Sequence, residues 1–220
     1  MKTPYEYRAQ AREVLQNRWG EAAIVSAIIL VLACAISMPS VIADTSNAVK
    51  ESLFGSSFTT LLAVLIVPIQ YAFYVVLLEL TRSKEDALLH ATWQHTKRNY
   101  TNLLLAGLLI TILSSLLAIV TFGIGAIILS YAYRMVPYLL HDYPELTPRE
   151  ALKISREMMS GHKWELFVLD FSFIGWILLS IITCGVGTLF LVPYMQTATA
   201  YFYEDLRAAT IVEENDEPTL

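Results

Sequence analysis

The chain has 220 residues, of which 55% are hydrophobic and only 16% charged, whereas about a quarter of a soluble domain is charged. Charged side chains are absent from four long stretches, residues 22–43, 53–78, 99–133 and 171–203. So few charges cannot cover helices of this apolarity in water, which argues against the alternative of a large soluble helical protein. The basic residues are few in each connection and follow the membrane topology, so nothing in the sequence supports nucleic-acid binding.

The uncharged stretches predict an all-α membrane protein with six spans. A bilayer core of about 30 Å needs roughly 20 apolar helical residues, so the first two stretches fit one helix each and the last two fit a helical hairpin each. Tight turns at residues 121–125 and 183–187 divide the hairpins, each with paired glycines: Gly123, Gly125, Gly185 and Gly187. The predicted spans are Ala22–Ala43, Phe58–Leu78, Leu103–Val120, Ile124–Leu140, Leu166–Thr183 and Val186–Phe202.

The Lys and Arg residues predict the orientation of these spans. They cluster at alternate connections, and of the 15 basic residues only Lys50 lies clearly in an outer one. Both chain ends are therefore expected in the cytoplasm, in a multi-pass protein of the cytoplasmic membrane. Residues 210–220 are predicted to form an acidic, disordered cytoplasmic tail.

Three amphipathic helices are predicted on the cytoplasmic side. Each opens with a hydroxyl residue followed three positions later by an acid, at Thr3, Ser83 and Thr147. The expected apolar members are Tyr5, Ala9, Leu15 and Trp19 in the first helix and Ala151, Ile154, Ser155 and Met158 in the third. Such helices either anchor the bundle from below or sense lipids specifically.

The chain also contains an internal repeat. The two glycine turns are offset by 62 residues, and the same offset aligns Asp142 with Glu204; an offset of 125 aligns Pro68 with Pro193 and Arg82 with Arg207. We predict a single membrane domain, residues 1–209, with three units at about 3–82, 83–146 and 147–209. Each unit is an amphipathic helix followed by a transmembrane hairpin. The units form either a ring around a pseudo-threefold axis or a linear array.

Two charges fall inside the predicted spans. Arg134 lies in span four and Asp170 in span five, both in the cytoplasmic half, and they are candidates for a salt bridge between units or for a substrate site. Glu79, Asp142 and Glu204 occupy equivalent helix ends and are expected to be solvated.

Three prolines lie within the even-numbered spans: Pro68, Pro137 and Pro193. Proline frees backbone groups that neighbours must satisfy, which produces either a kink or a ligand-binding gap. Gln70, Gln196 and Ser172 are the candidates for satisfying them. No metal-binding, nucleophile or phosphate-loop motif is present, so we expect no catalytic residue, no metal and no cofactor.

The last third of the chain resembles a known family. The run from Gly161 to Trp176, the turn Thr183-x-Gly-x-Gly187, Val192-Pro-Tyr194 and residues 200–205 are similar to domain of unknown function 975, and Asp142-x-Pro144 with Ala151-Leu152 also fits. The resemblance implies a bacterial membrane protein and brings no activity or catalytic residue with it.

Three classes of function remain, and an intramembrane enzyme is the least favoured of them because no catalytic motif is present. The first is a non-enzymatic scaffold or lipid-interacting module of the bacterial envelope, with membrane lipids or another membrane protein as its partners. The alternative is a small transporter or channel with a path between the repeats, lined by Arg134 and Asp170. The sequence does not give the oligomeric state.

Overall fold

The structure, a computed structural model, describes residues 2–16, 18–44, 67–82, 88–121 and 123–216. These residues contain helices and no strand, which confirms the all-α class for this part of the chain. In chain order the helices are α1 (Pro4–Leu15), α2 (Trp19–Asp44), α3 (67–82), α4 (Leu88–Thr121), α5 (Ile124–Ala132), α6 (Val136–Asp142), α7 (Pro148–Met158), α8 (Lys163–Phe171), α9 (Ile174–Ile182) and α10 (Thr188–Asp216).

Helices α1 and α7 begin with the predicted capping boxes. The Thr3 hydroxyl accepts from the Glu6 N–H at 3.4 Å, while the Glu6 carboxylate accepts from the Thr3 N–H at 2.6 Å. Thr147 and Glu150 exchange the same two bonds at 3.4 and 2.8 Å. Because these bonds satisfy N–H groups that the first turn leaves free, they fix where both helices start. The third predicted box, from Ser83, lies outside the described residues.

The apolar face predicted for α1 was wrong in part. Tyr7, Ala11 and Leu15 are buried, whereas Tyr5 and Ala9 are exposed. The reason is tertiary contact, because α1 packs lengthwise on α10: Tyr7 meets the Phe202 ring, with centroids 5.7 Å apart. Trp19, just beyond α1, is half-buried beside α10.

The face of α7 agrees better with the prediction. Ala151 and Ser155 are fully buried, and the Ser155 hydroxyl donates to the carbonyl of Ala132 at 2.8 Å. Ile154 and Met158 are half-buried.

Two predicted boundaries are absent. Helix α4 runs unbroken through the expected end of the second cytoplasmic helix and continues as predicted span three. Residues 99–103 contain no Gly or Pro that would end a helix there. Helix α10 likewise continues to Asp216, into the segment predicted to be a disordered tail. Ala208 and Ala209 just before that segment, and Glu213 and Glu214 within it, are good helix formers. Residues 217–220 lie outside the described residues.

Two predicted spans are each divided into two helices. Span four breaks at residues 133–135, between α5 and α6, because Pro137 has no N–H and its ring excludes the carbonyl of Tyr133 from a helical position. Span five breaks at Ser172 and Phe173, where α8 and α9 meet at 41°. There the Trp176 N–H bonds the Phe173 carbonyl, which leaves the Ser172 carbonyl without its helical donor.

Helix α10 is the centre of the fold, in contact with α1, α2, α7, α8 and α9. The main core gathers aromatic side chains around it, including Tyr7, Phe73, Tyr138, Phe202 and Tyr203. A smaller core lies between α4, α6 and α7. The charged C-terminal ends of α3 and α6 are held against the side of α10.

Much of the surface is apolar. Large hydrophobic side chains are exposed along α2, α4, α5 and α9. Within the described residues one helical segment, Tyr100–Leu117, is long and apolar enough to cross a membrane. Two bent pairs, α1 with α2 at 99° and α8 with α9 at 41°, raise the number to at most three if each counts as one span. The six-span topology stays a prediction.

Candidate functional site

A charged network joins the C-terminal ends of α3 and α6 to the side of α10. Arg82 donates two parallel hydrogen bonds to Asp142, at 2.7 and 2.8 Å, and a third from Nε to Glu204 at 2.7 Å. The Tyr203 hydroxyl donates to Asp142 at 2.9 Å, and Arg207 lies 3.5 Å from the same carboxylate. The expectation that Asp142 is solvated was wrong, because its side chain is 6% exposed.

Charge and hydrogen bonding decide the ionisation of Asp142. Burial opposes the charged carboxylate, but the hydrogen bonds from Arg82 and Tyr203, with the charges of Arg82 and Arg207, outweigh it and hold the pKa of Asp142 below its ordinary value. Asp142 is therefore ionised and paired with Arg82 at neutral pH. The Glu79 carboxylate also has a partner, because His141 Nε2 lies 3.3 Å from it.

The two charges predicted within spans lie at helix breaks. Arg134 lies in the break between α5 and α6, and its Nε is buried without a hydrogen-bond partner among the described residues. Asp170 lies near the end of α8 and accepts from the Tyr131 hydroxyl at 3.1 Å. Arg134 and Asp170 form no direct ion pair in the part of the chain that the structure describes. Tyr131, one turn before Arg134, is the residue that reaches Asp170.

The two glycine turns have the same geometry. Gly123 and Gly185 have φ of 90° and 89°, a backbone conformation that favours glycine. The Thr121 hydroxyl accepts from the Gly125 N–H at 2.8 Å, and the Thr183 hydroxyl accepts from the Gly187 N–H at 3.0 Å. These bonds replace backbone partners that the chain reversal removes.

The prolines take different positions. Pro137 lies in the first turn of α6, Pro193 lies inside an unbroken α10, and Pro68 is buried near the start of the described part of α3. The side chains expected to satisfy the freed groups bind elsewhere: Gln70 donates to the Tyr74 hydroxyl at 2.7 Å, and Ser172 donates to the Leu169 carbonyl at 2.7 Å. Gln196 is buried, and its Oε1 has no partner among the described residues.

A cleft beside α1 was not predicted from the sequence. It has a volume of about 400 Å³, with Arg8 and Arg12 on one side and Trp19, Trp176 and Phe190 among its apolar walls. A second lobe of about 280 Å³ shares both arginines. In the sequence these arginines served only as orientation signals. Their spacing of four residues, which puts both on one side of α1, was the available clue.

Arg8 is held in place by contacts far away in the chain. Its guanidinium donates to the Ser172 carbonyl at 3.1 Å, at the break between α8 and α9, and lies 5.4 Å from the centroid of the Phe173 ring. Its own carbonyl accepts from the Tyr194 hydroxyl at 3.2 Å. The side chain is therefore fixed at the edge of the cleft before any ligand arrives.

A smaller cavity of about 200 Å³ lies between α2, α3 and α10, with Ser26, Gln70 and Thr188 among its lining residues. The Ser26 hydroxyl is buried and has no partner among the described residues. None of these three cavities is lined by Arg134 or Asp170. Among the described residues, no three His, Cys, Asp or Glu side chains gather in a way that could hold a metal ion.

The fold and these sites define an all-helical protein built around one central helix, with broad exposed apolar faces and a network of ion pairs where α3, α6 and α10 meet. The chain belongs to the family described as protein of unknown function, DUF975, whose family model matches residues 95–210, more than half of the chain. This confirms the resemblance seen in the sequence. No curated protein and no solved structure matches the chain.

Proposed function

We propose that this chain is an integral protein of the bacterial cytoplasmic membrane, with six spans and both ends in the cytoplasm, and that it acts as a non-enzymatic scaffold or lipid-interacting module. The observation that carries the proposal is the apolar surface. Ile182, Ile124 and Leu116, on three different helices, are 77%, 67% and 63% exposed. Apolar surface exposed on several helices favours aggregation in water, whereas in lipid such surface is the normal outside of a helix bundle.

The charged network supports the ring arrangement of the three repeats over the linear array. Arg82 of the first unit bonds Asp142 of the second and Glu204 of the third, and Tyr203 of the third unit bonds Asp142. All three pairs of units are thus in contact at one end. In a linear array the first and third units lie apart.

Membrane extraction tests the proposal. The chain is expected to stay in the membrane fraction after a high-pH carbonate wash and to retain phospholipid after gentle extraction, measured by mass spectrometry of everything that co-purifies. A co-purifying membrane protein at near-equal stoichiometry would support the scaffold form of the proposal. Release by carbonate, with no bound phospholipid, would contradict it.

A transporter is the second candidate, and Arg134 favours it: its Nε is buried without a hydrogen-bond partner among the described residues, and an unsatisfied buried donor is costly unless a ligand binds there. The test is a small polar molecule that co-purifies with the wild-type chain and is lost in Arg134→Ala or Asp170→Asn. Retention of all co-purifying molecules in both variants would argue against a transport path through these residues.

A further inference from the structure

The cleft between α1 and the α9–α10 hairpin joins two unlike surfaces. Arg8 and Arg12 supply positive charge on one side, and Trp19, Trp176 and Phe190 supply apolar surface on the other. Its volume of about 400 Å³ falls within the range of about 300–1,000 Å³ typical of small-molecule sites. A ligand that fills it must carry an anionic group and a hydrocarbon portion.

The two arginines are not neutralised by the protein. Neither forms an ion pair with an acidic side chain in the described ranges. Arg8 donates from one terminal guanidinium nitrogen to the Ser172 carbonyl, and its other terminal nitrogen makes no hydrogen bond among the described residues. Arg12 is exposed at the mouth. Because a guanidinium matches the geometry of a phosphate, the pair provides donors for one phosphate group.

The apolar wall continues outward into the surface proposed to face lipid. Trp176, Leu179 and Phe190 are each 47% exposed, so the cleft is open along its side instead of being closed around a compact ligand. An acyl chain lying against this wall stays in contact with the hydrocarbon layer. Basic residues beside a lipid surface attract anionic headgroups.

We infer that this cleft binds an anionic glycerophospholipid, with its phosphate on Arg8 and Arg12 and one acyl chain along Trp176, Leu179 and Phe190. The inference rests on the proposed membrane function and names its lipid class and its site. It makes α1 a headgroup-binding helix instead of a plain anchor.

The test measures lipid selectivity of the full chain in vesicles of phosphatidylcholine with one fifth phosphatidylglycerol of the same acyl chains. Bound lipid is identified by native mass spectrometry after mild extraction. The wild-type chain is expected to enrich phosphatidylglycerol over its share in the vesicles. Arg12→Gln should reduce the enrichment about fivefold, since one basic residue near an anionic surface is worth about that factor.

The matched control is Arg156→Gln, which removes the same charge from the exposed side of α7 and should leave the enrichment unchanged. Arg12 is exposed and makes no described bond, so its substitution leaves the fold intact, whereas Arg8→Gln removes the bond to Ser172. Leu179→Trp, which narrows the apolar side, should lower retention of both lipids at this site. Arg12→Lys should keep most of the enrichment.

Three outcomes would overturn the inference: equal enrichment in Arg12→Gln and Arg156→Gln, unchanged retention in Leu179→Trp, or displacement of the bound lipid by excess glycerol phosphate, which would identify a site for a soluble phosphate compound. If the wild-type chain retains phospholipid but does not prefer phosphatidylglycerol, the proposed lipid site is refuted while the proposed membrane function stands. Wild-type chain that leaves the membrane on a carbonate wash refutes the proposed function itself.

Discussion

At the scale of single residues, Asp142 organises the charged end of the molecule. It accepts both parallel bonds from Arg82 and one from Tyr203, and Arg207 lies nearby. A carboxylate that accepts from several donors stabilises the fold mainly because, without it, those donors would be left without this hydrogen-bond or charge partner. In the proposed division of the chain the carboxylate lies in the second unit and the donors in the first and third, so its loss should loosen all three together.

Asp142→Asn should lower the free energy of unfolding by about 2 kcal/mol, a value that allows for the partial exposure of Arg82. The neutral amide keeps the shape of the side chain and removes the charge that Arg82 and Arg207 share. Thermal unfolding in detergent measures the change. Glu145→Gln, an exposed acid near the same helix end, is the matched control and should stay within about 0.5 kcal/mol of wild type.

The same carboxylate predicts a pH dependence. Because the pKa of Asp142 is lowered in the folded chain, its stabilising effect is fully present above its unfolded pKa of about 3.9 and is lost as the pH falls through the folded value. The melting temperature of the wild type should therefore fall below about pH 4. Asp142→Asn should show a shallower fall, and parallel curves for the two chains would rule this linkage out.

At the scale of elements, the glycine turn before α10 sets how closely α9 and α10 approach. A Cβ on Gly187 would lie 2.9 Å from the Ser180 Cα, a backbone atom that cannot yield without moving α9. Gly187→Ala should therefore cost about 1–3 kcal/mol. Gly175→Ala provides the comparison, because a Cβ there meets nothing within 4 Å, and equal melting temperatures for the two variants would contradict the close approach.

The seating of α1 on α10 can be tested with two alanines two positions apart. Ala11 is 0% exposed and Ala9 is exposed. Ala11→Leu should overpack the contact with α10 and cost about 1–3 kcal/mol, while Ala9→Leu should be tolerated. Unfolding of the purified chain measures both. If Ala9→Leu destabilised the chain more than Ala11→Leu, the face of α1 predicted from the sequence, with Ala9 buried, would be correct.

How far the sequence predicts these elements depends on the range of the interactions that form them. The capping boxes at Thr3 and Thr147 were predictable because they involve residues three positions apart. The glycine turns are local in the same sense. The buried face of α1 and the role of Arg8 were missed because they depend on contacts with α10 and with Ser172, 164 residues away in the chain. No pattern within α1 encodes such a contact.

The breaks in predicted spans four and five show the same limit. Hydropathy predicts that a segment is apolar, but it does not report whether its backbone stays helical. Pro137 predicts that the helix is interrupted, but its position in the sequence does not show whether the result is a kink or the start of a new helix. The break at Ser172 depends on Arg8, which supplies the donor that the helix no longer provides. Both breaks lie beside the charges singled out from sequence, Arg134 and Asp170.

At the scale of the whole molecule, the proposed orientation can be tested with the chain's own cysteines. Cys184 lies exposed in the turn between α9 and α10, which the distribution of Lys and Arg predicts to be outside. In a Cys34→Ser background, a membrane-impermeant thiol reagent should label Cys184 in intact cells. Ser160→Cys, between α7 and α8, placed in a chain without the two native cysteines, should be labelled only after the membrane is opened.

The combination of labels decides between topologies. If Cys184 is labelled from outside and the cysteine of Ser160→Cys only from inside, α8 and α9 must cross the bilayer together as one bent span. Labelling of both sites from outside would place α8 and α9 on one face of the membrane as a re-entrant pair, since the 41° bend permits either geometry. That result would remove a span from the third unit and, with it, the equivalence of the three repeats on which the ring arrangement depends.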